Sequence, residues 1–360
     1  MVLEEPGELF SKEALEHAQE AANERAAQVL REHKLRDPPR PLSLSQGVQL
    51  VNFYGQKLPE LCKLCSAPSE VCWTALVFFR RFYAAASAME FDPATTMYAA
   101  VHVACKIEEV REITLDRLLE VSGFGEDAAM KTKVTDLELE LLERIGFRLL
   151  VEPKPGAALR VLAEDSRERV PGFPLSQEAL QELLARAESL VFELCACSHA
   201  VLHYPASIIF SAAWGTALDE GSGLDRQPGA APSCALLAML AETFKDPADR
   251  EALSSLLKEV LKAMKQVSCE TGLGKAAMQD IAKIARKCHR AFGFIHDERK
   301  QRHEAHRKER KRRRNDLKDK EATMFRIADF ADLKQKAQAL QSHAMDEDFV
   351  IHGPRDMEED

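Results

Sequence analysis

One lysine follows a nearly uncharged run of small and apolar residues. Between Met97 and Cys105 the apolar positions recur at helical spacing, and Lys106 comes on the next turn with Glu108 and Glu109 behind it. Asp92 can cap this helix, and Pro93 suits its first turn, where a backbone N–H is not needed. A charge at the end of such a helix is either solvated or held for a partner.

The cysteines offer a second possible chemistry. Cys62 and Cys65 have the spacing of a zinc knuckle, and Cys195 and Cys197 form another close pair far along the chain. A structural zinc site needs four ligands from compatible pairs, but the first pair falls at a helix end and the second inside an apolar helix. We therefore expect buried free thiols and no metal. Nine scattered cysteines in a long chain favour a reduced, intracellular compartment.

Motifs of catalysis are missing from the sequence. It contains no phosphate-binding glycine loop, nucleophile elbow, HExxH helix or kinase catalytic loop. This predicts a protein that is not itself an enzyme and that needs no cofactor. The 360 residues are 46% hydrophobic, 30% charged and 6% aromatic, which is typical of a globular, helix-rich chain. The acidic start has no apolar signal segment, and no run is long enough to span a bilayer, so neither secretion nor membrane binding is expected.

Hydrophobic periodicity predicts an all-α fold with two successive groups of five helices. A helix over 8–34 and a DPPRP linker at 37–41 come first. Pro59 should kink or split the first helix of the first group, and the second helix, apolar nearly all round, should be central. The first group is predicted at 45–64, 69–86, 93–108, 114–121 and 128–146, the second at 155–169, 176–200, 205–218, 233–244 and 247–270, and a further helix at 274–292.

This pattern divides the chain into five parts. They are an N-terminal helix and linker (1–43), a first repeat (44–152), a second repeat (153–272), a C-terminal helix (273–295) and a tail (296–360). Net charge is −9, but it is unevenly distributed, because residues 299–320 hold twelve Lys or Arg and residues 344–360 hold seven acids. The basic run has no apolar stripe to bury, and residues 294–352 contain neither Gly nor Pro, so a solvated helix that continues outward as a tail or arm is one interpretation.

A nuclear localisation signal is the expected role of the most basic segment. Its residues are Arg307, Lys308, Arg310, Lys311, Arg312, Arg313 and Arg314. An arm that contacts nucleic acid or an acidic partner is the alternative. Aromatic residues do not interleave the run, which disfavours single-strand binding. Direct nucleic-acid binding is therefore not expected.

The stretch FRRFYAAASAMEFDPATTMYAAVHVACKIEE at 79–109 resembles the first repeat of a cyclin. The likeness extends over about 8–295, is most specific at 79–109, and is good at 136–150 and 201–213. Within the family it is closest to the H-type transcriptional cyclins, and the C and K types are the nearest alternatives. Pro59, the 219–232 loop and the basic tail depart from the family pattern.

The resemblance implies a regulatory subunit that binds and activates a cyclin-dependent kinase, including one that activates other kinases, and it implies a binding site. In cyclins a lysine of the third helix and a glutamate of the fifth bind each other and the kinase, and the match places them at Lys106 and Glu138. Kinase contacts are expected at Lys106, Ile107, Glu109 and Glu138. The implied partners are a cyclin-dependent kinase, a third assembly subunit and a general transcription and repair factor that phosphorylates RNA polymerase II, all nuclear. From spacing alone, two unrelated surface charges would explain Lys106 and Glu138 as well.

Two other classes of protein share features with this chain. A double repeat like that of transcription factor IIB uses the same helical module to bind nucleic acid. That type needs an N-terminal zinc ribbon, which this sequence lacks, and a basic repeat face, whereas Lys and Arg do not concentrate in 44–290. A scaffold without a kinase partner is the third possibility.

Overall fold

The computed structural model describes residues 9–32, 38–125, 127–167, 169–170, 176–221, 232–269 and 275–327, and in these ranges the ordered elements are all helices. The all-α prediction is confirmed. The helices are α1 (Lys12–Glu32), α2 (Leu44–Leu64), α3 (Ser69–Ala85), α4 (Pro93–Ile107), α5 (Leu115–Val121), α6 (Ala128–Arg144), α7 (Pro155–Ser166), α8 (Gln177–Cys197), α9 (Ala200–His203), α10 (Ala206–Gly221), α11 (Pro232–Glu242), α12 (Pro247–Cys269) and α13 (Lys275–Ile327).

Helix α3 is the centre of the first helical group, as its sequence predicts. Its aromatic side chains Trp73, Phe78, Phe79 and Phe82 are fully buried. It packs against α1, α2, α4 and α6, and also against α7 of the second group. A helix with apolar residues on every face can be stable only in such a position.

Helix α10 has the same central role in the second group. Its residues from Ile208 to Leu218 are buried, and it packs against α7, α8, α11 and α12. The indole N–H of Trp214 donates to the Ser166 hydroxyl at 3.1 Å, so this buried polar group is satisfied. The rings of Trp73 and Phe210 lie 5.4 Å apart across the two groups. One apolar core therefore connects both repeats.

Several element boundaries differ from the sequence prediction. Pro59 does not split α2, which runs without interruption from Leu44 to Leu64, because Leu58 and Leu61 on either side of the proline are both buried in the core. The helix predicted at 176–200 ends at Cys197, and the short α9 follows it. Helix α13 continues past residue 292 to Ile327, in agreement with the interpretation of the basic run as a helix that continues outward. Most of the 219–232 loop, residues 222–231, lies outside the described residues.

A buried arginine connects the two repeats. Arg80 on α3 donates from Nε to the carbonyl of Cys195 at 2.9 Å and also to the carbonyl of Ala196, both at the C-terminal end of α8. Its third contact is the side-chain oxygen of Asn52 on α2, at 2.7 Å. Burial lowers the pKa of Arg80 to about 10, so the guanidinium keeps its charge at neutral pH. The negative end of the α8 dipole compensates part of this charge.

In the part of the chain that the structure describes, none of the helices combines the length and the apolar character that a membrane span requires. The division into five domains is not tested by these helices alone and stays a prediction.

Candidate partner-binding site

Helix α4 ends in a way that places Lys106 and Glu109 at the surface. Asp92 caps its first turn by accepting the Thr95 N–H at 3.0 Å, as predicted. At the other end Glu109 takes a left-handed conformation with φ of 57°, and the Val110 N–H donates back to the Cys105 carbonyl at 2.9 Å. This is a Schellman-type ending, here with a glutamate where glycine is usual.

Helix α6 supplies the second charged residue. Its buried positions Val134 and Leu141, with Ile145 directly after the helix, hold it against the core, and it packs along α4. Glu138 lies one turn beyond Val134 on this helix, at the edge of the buried stripe. The two helices therefore bring residues 32 positions apart together.

The structure places Lys106 and Glu138 in direct contact. Lys106 Nζ lies 2.6 Å from Glu138 Oε1, with 49% of the lysine and 23% of the glutamate side chain exposed. An ammonium has three donors and a carboxylate has several acceptor sites, so one hydrogen bond leaves capacity on both groups for a partner. As a half-exposed ion pair it contributes little to folding, in the range of about 0–1 kcal/mol.

Three apolar side chains lie on or directly after the two helices that carry the pair. Ile107 follows Lys106 and packs partly against the core. Leu139, next to Glu138, is 58% exposed, and so is Phe147 at the end of α6. Phe147 also has a positive φ of 54°, which is uncommon for an aromatic residue. Sequence reasoning used Phe147 only as a helix end, although an exposed aromatic residue in this position is also a binding candidate.

His102 is a further residue that sequence reasoning missed. It lies one turn before Lys106, and its Nδ1 atom is buried without a hydrogen-bond partner among the described residues. Burial lowers the pKa of this imidazole, the Lys106 charge lowers it further, and Glu138 opposes both effects. The ring is therefore neutral at pH 7 and adds no charge to the surface.

Glu108 and Glu109 are adjacent in sequence but differ in role. The Glu108 carboxylate pairs with Lys154 Nζ at 2.5 Å, and both side chains are at least 80% buried, with exposures of 17% and 14%. The Thr74 hydroxyl donates to Glu108 and accepts from Lys154 at 2.8 Å. Glu108 thus ties the end of α4 to the start of the second repeat, whereas Glu109 is exposed.

The cysteines of both close pairs are thiols in this structure. Cys62 and Cys65 are buried and free, Cys195 is buried, and Cys197 is partly buried. A hydrogen bond with Cys72, together with burial, raises the pKa of the Cys62 thiol above its usual range. In the described ranges, no three His, Cys, Asp or Glu residues are grouped so that they could hold a metal ion.

The basic segment lies on α13. The side chains of Lys308, Arg310, Lys311, Arg312, Arg313 and Arg314 are exposed, and that of Arg307 lies outside the described residues. Glu309 accepts from Arg313 at 3.0 Å, one turn apart.

Comparison with known proteins identifies the helical module around the Lys106–Glu138 pair. The family description "Cyclin, N-terminal domain" matches residues 28–150. Residues 28–150 are therefore similar to a cyclin N-terminal domain. The match contains α2 to α6 and so includes the whole pair. The resemblance noted from the sequence is confirmed.

Three of the curated relatives are named as cyclins, two of them as cyclin-H. The chain is 33% identical over 111 residues to Cyclin CCL1 of Saccharomyces cerevisiae, which covers 31% of this chain and 26% of that protein. It is 27% identical over 144 residues to the putative cyclin-H of Dictyostelium discoideum, covering 40% and 48%. It is 25% identical over 186 residues to cyclin-H of Xenopus laevis, and the match covers 50% of this chain and 55% of that protein. The matches thus span about a quarter to just over half of the relatives' lengths.

Two solved structures share the fold over most of the chain. One is a chain of the CAK complex from Chaetomium thermophilum bound to ATP-gamma-S, with a TM-score of 0.64 and 21% identity, covering 82% of this chain and 91% of that one. The other is a chain of yeast TFIIK (Kin28/Ccl1/Tfb3), with a TM-score of 0.53 and 22% identity, covering 73% and 98%. At this identity the two structures show a shared fold and no more.

Proposed function

We propose that this chain is a cyclin H-like regulatory subunit that binds and activates a cyclin-dependent kinase. The observation that carries the proposal is the partly exposed Lys106–Glu138 pair inside the region that matches a cyclin domain, with the exposed Leu139 next to Glu138 in sequence. A charge pair of this kind fixes the orientation of a partner, and exposed apolar side chains supply buried area. Lys106, Ile107, Glu109 and Glu138 are the proposed kinase contacts.

Activation then acts through the conformation of the kinase. A kinase is active only when the lysine of its β3 strand pairs with the glutamate of its αC helix. A rigid surface that binds only the active position of αC shifts the equilibrium towards it. The proposed cyclin contributes no catalytic atom, so this chain is a regulatory subunit and not itself an enzyme.

The names of similar structures support the wider assignment. The similar structures are chains of a CAK complex and of TFIIK, and TFIIK contains Kin28 and Tfb3 besides Ccl1. By analogy we propose a third assembly subunit, nuclear localisation, and phosphorylation of RNA polymerase II repeats and of kinase activation loops by the assembled complex. Residues Arg307–Arg314 are the proposed nuclear localisation signal. The test compares the nuclear localisation of a reporter fused to residues 300–320 with that of a reporter fused to the same segment with glutamine at the basic positions.

The decisive experiment compares charge removal with charge exchange at the pair. Lys106→Ala with Glu138→Ala is expected to weaken kinase binding by about 30-fold or more, since loss of a hydrogen-bonded charge at an interface costs about 2–5 kcal/mol. The exchange Lys106→Glu with Glu138→Lys keeps an internal ion pair but inverts the charges seen by the kinase. It should bind as poorly as the double alanine variant.

The matched control is the exposed pair Lys57–Glu60 on α2, at 2.9 Å. Its double alanine variant should bind and activate the kinase as the wild type does. Kinase binding is measured by titration. Kinase activity is measured on two substrate peptides, one a polymerase repeat and the other an activation loop. If the exchanged pair supports full activation, the two charges serve only the fold. If no kinase binds the wild-type chain, the proposal fails, and the hypotheses of a scaffold or of a transcription factor IIB-like protein take its place.

A further inference from the structure

We propose that residues 308–314 of α13 bind double-stranded DNA through its phosphates, a function beyond that of a kinase regulator. Six of these seven residues are cations, and all seven side chains are exposed on a helix. The one acid, Glu309, is paired with Arg313. The segment therefore carries a net charge of +5 within about two helical turns.

The arrangement of the cations around the helix indicates the shape of the partner. Successive residues of an α-helix are rotated by about 100°, so the six cations lie on all sides and leave no gap wider than about 100°. An acidic peptide or a flat surface would contact one side only. A helix in the major groove of B-DNA has phosphates on both sides, and that groove is about 12 Å wide and admits a helix. The deep, narrow groove of duplex RNA does not.

Other polyanions fit less well. Single-strand binding relies on aromatic residues that stack on bases, and residues 297–324 contain none. The absence of aromatic residues was the basis for expecting no nucleic-acid contact. It does not argue against binding to a duplex, whose bases are already stacked on each other. A helix that lies on a membrane needs an apolar face, and Leu317 is the one apolar residue in 308–317.

The chemistry of the segment predicts binding that does not depend on DNA sequence. Arg and Lys contact phosphates as charges, and such contacts position a protein without reading bases. With about five phosphates neutralised, the logarithm of the binding constant should fall with the logarithm of salt concentration with a slope of about −4.5. Affinity should then drop about 500-fold between 50 and 200 mM salt.

The test uses the full chain without a kinase and a labelled duplex of two helical turns, roughly 20 base pairs. Arg310→Gln/Arg312→Gln/Arg314→Gln should reduce the salt slope by about 2.7. The same three positions changed to lysine should keep the slope of the wild type. Lys245→Gln/Lys258→Gln/Lys262→Gln removes three exposed charges elsewhere and is the control for net charge. Circular dichroism verifies that each variant keeps its helix content.

Three results would overturn the proposal. The first is no duplex binding at 50 mM salt, and the second is an equal reduction of the salt slope in the α13 and control triple variants. The third is tighter binding to the single strand, to duplex RNA, to a poly-glutamate peptide or to anionic vesicles than to the DNA duplex. None of these results bears on kinase activation, since no kinase is present in the assay.

Discussion

A methyl group added at Gly55 would test the contact between the two repeats. Gly55 lies on α2, where a Cβ atom would stand 2.5 Å from the Ala196 carbonyl oxygen and 2.7 Å from a terminal nitrogen of Arg80. Both distances are far below van der Waals contact. Gly55→Ala must therefore push α2 away from α8 or displace the buried guanidinium from its carbonyl partners.

The expected cost follows from these contacts. Overpacking of a filled core costs about 1–3 kcal/mol. Loss of one hydrogen bond from a charged group costs about 1.5–3 kcal/mol more. Alanine is a better helix former than glycine by about 1 kcal/mol, which offsets part of the loss. Gly55→Ala should therefore lower the free energy of unfolding by about 1.5–5 kcal/mol.

The same helix contains a matched control. Apart from its chain neighbours and the adjacent backbone of its own helix, no atom lies within 4 Å of a Cβ added at Gly47, so Gly47→Ala should leave stability unchanged or raise it by up to about 1 kcal/mol. Urea unfolding of both variants, followed by helical circular dichroism, gives the two values. Equal stability of the Gly55→Ala and Gly47→Ala variants would show that Arg80 does not hold the repeats at a fixed distance.

Two further predictions concern buried polar groups. Burial, and then the charges of Arg80 and His203, lower the pKa of His199 to about 3, and its Nε2 accepts from Gln19 Nε2 at 3.0 Å. The stability that comes from keeping His199 neutral is complete above pH 6.5, and the free energy of unfolding falls by up to about 1.4 kcal/mol per pH unit as pH drops from 6.5 towards 3. His199→Gln should therefore reduce the pH dependence of the free energy of unfolding between pH 7 and 5. An unchanged pH dependence would contradict this reasoning. Lys154→Met should cost about 3 kcal/mol in urea unfolding because it strands the Glu108 carboxylate. Adding Glu108→Gln should recover part of that loss, and full stability of Lys154→Met alone would refute a structural role of the pair.

The sequence was sufficient for features that depend on local patterns. The helical period, the Asp92 cap and the all-round apolar character of α3 predicted α4 and the central helix correctly. The Lys106–Glu138 contact is different, because nothing in the spacing of 32 residues links the two charges. It was predicted through family resemblance, and the structure shows the contact, whereas its role in kinase binding stays a prediction.

The contacts between the repeats had no sequence signal. Arg80 and Arg81 are adjacent and look alike, yet Arg80 is fully buried and Arg81 is partly exposed. The acceptors of Arg80 on α8 are backbone carbonyls more than a hundred residues away, and any residue type would supply them. In the same way only the structure separates Glu108, which faces Lys154, from the exposed Glu109. Such choices are made by tertiary packing and not by local preference.

These buried contacts bear directly on the proposed activation of a kinase. A surface shifts a conformational equilibrium only as far as it discriminates between the two states, so it must not adapt to the inactive one. Helix α3 carries both Arg80, bound to α8, and Thr74, bound to the Glu108–Lys154 pair at the end of α4. The turn after Lys106 is thereby fixed to both repeats. Replacing buried ion pairs by apolar residues is often neutral or stabilising, so their presence here is better explained by the fixed geometry they impose than by the stability they add.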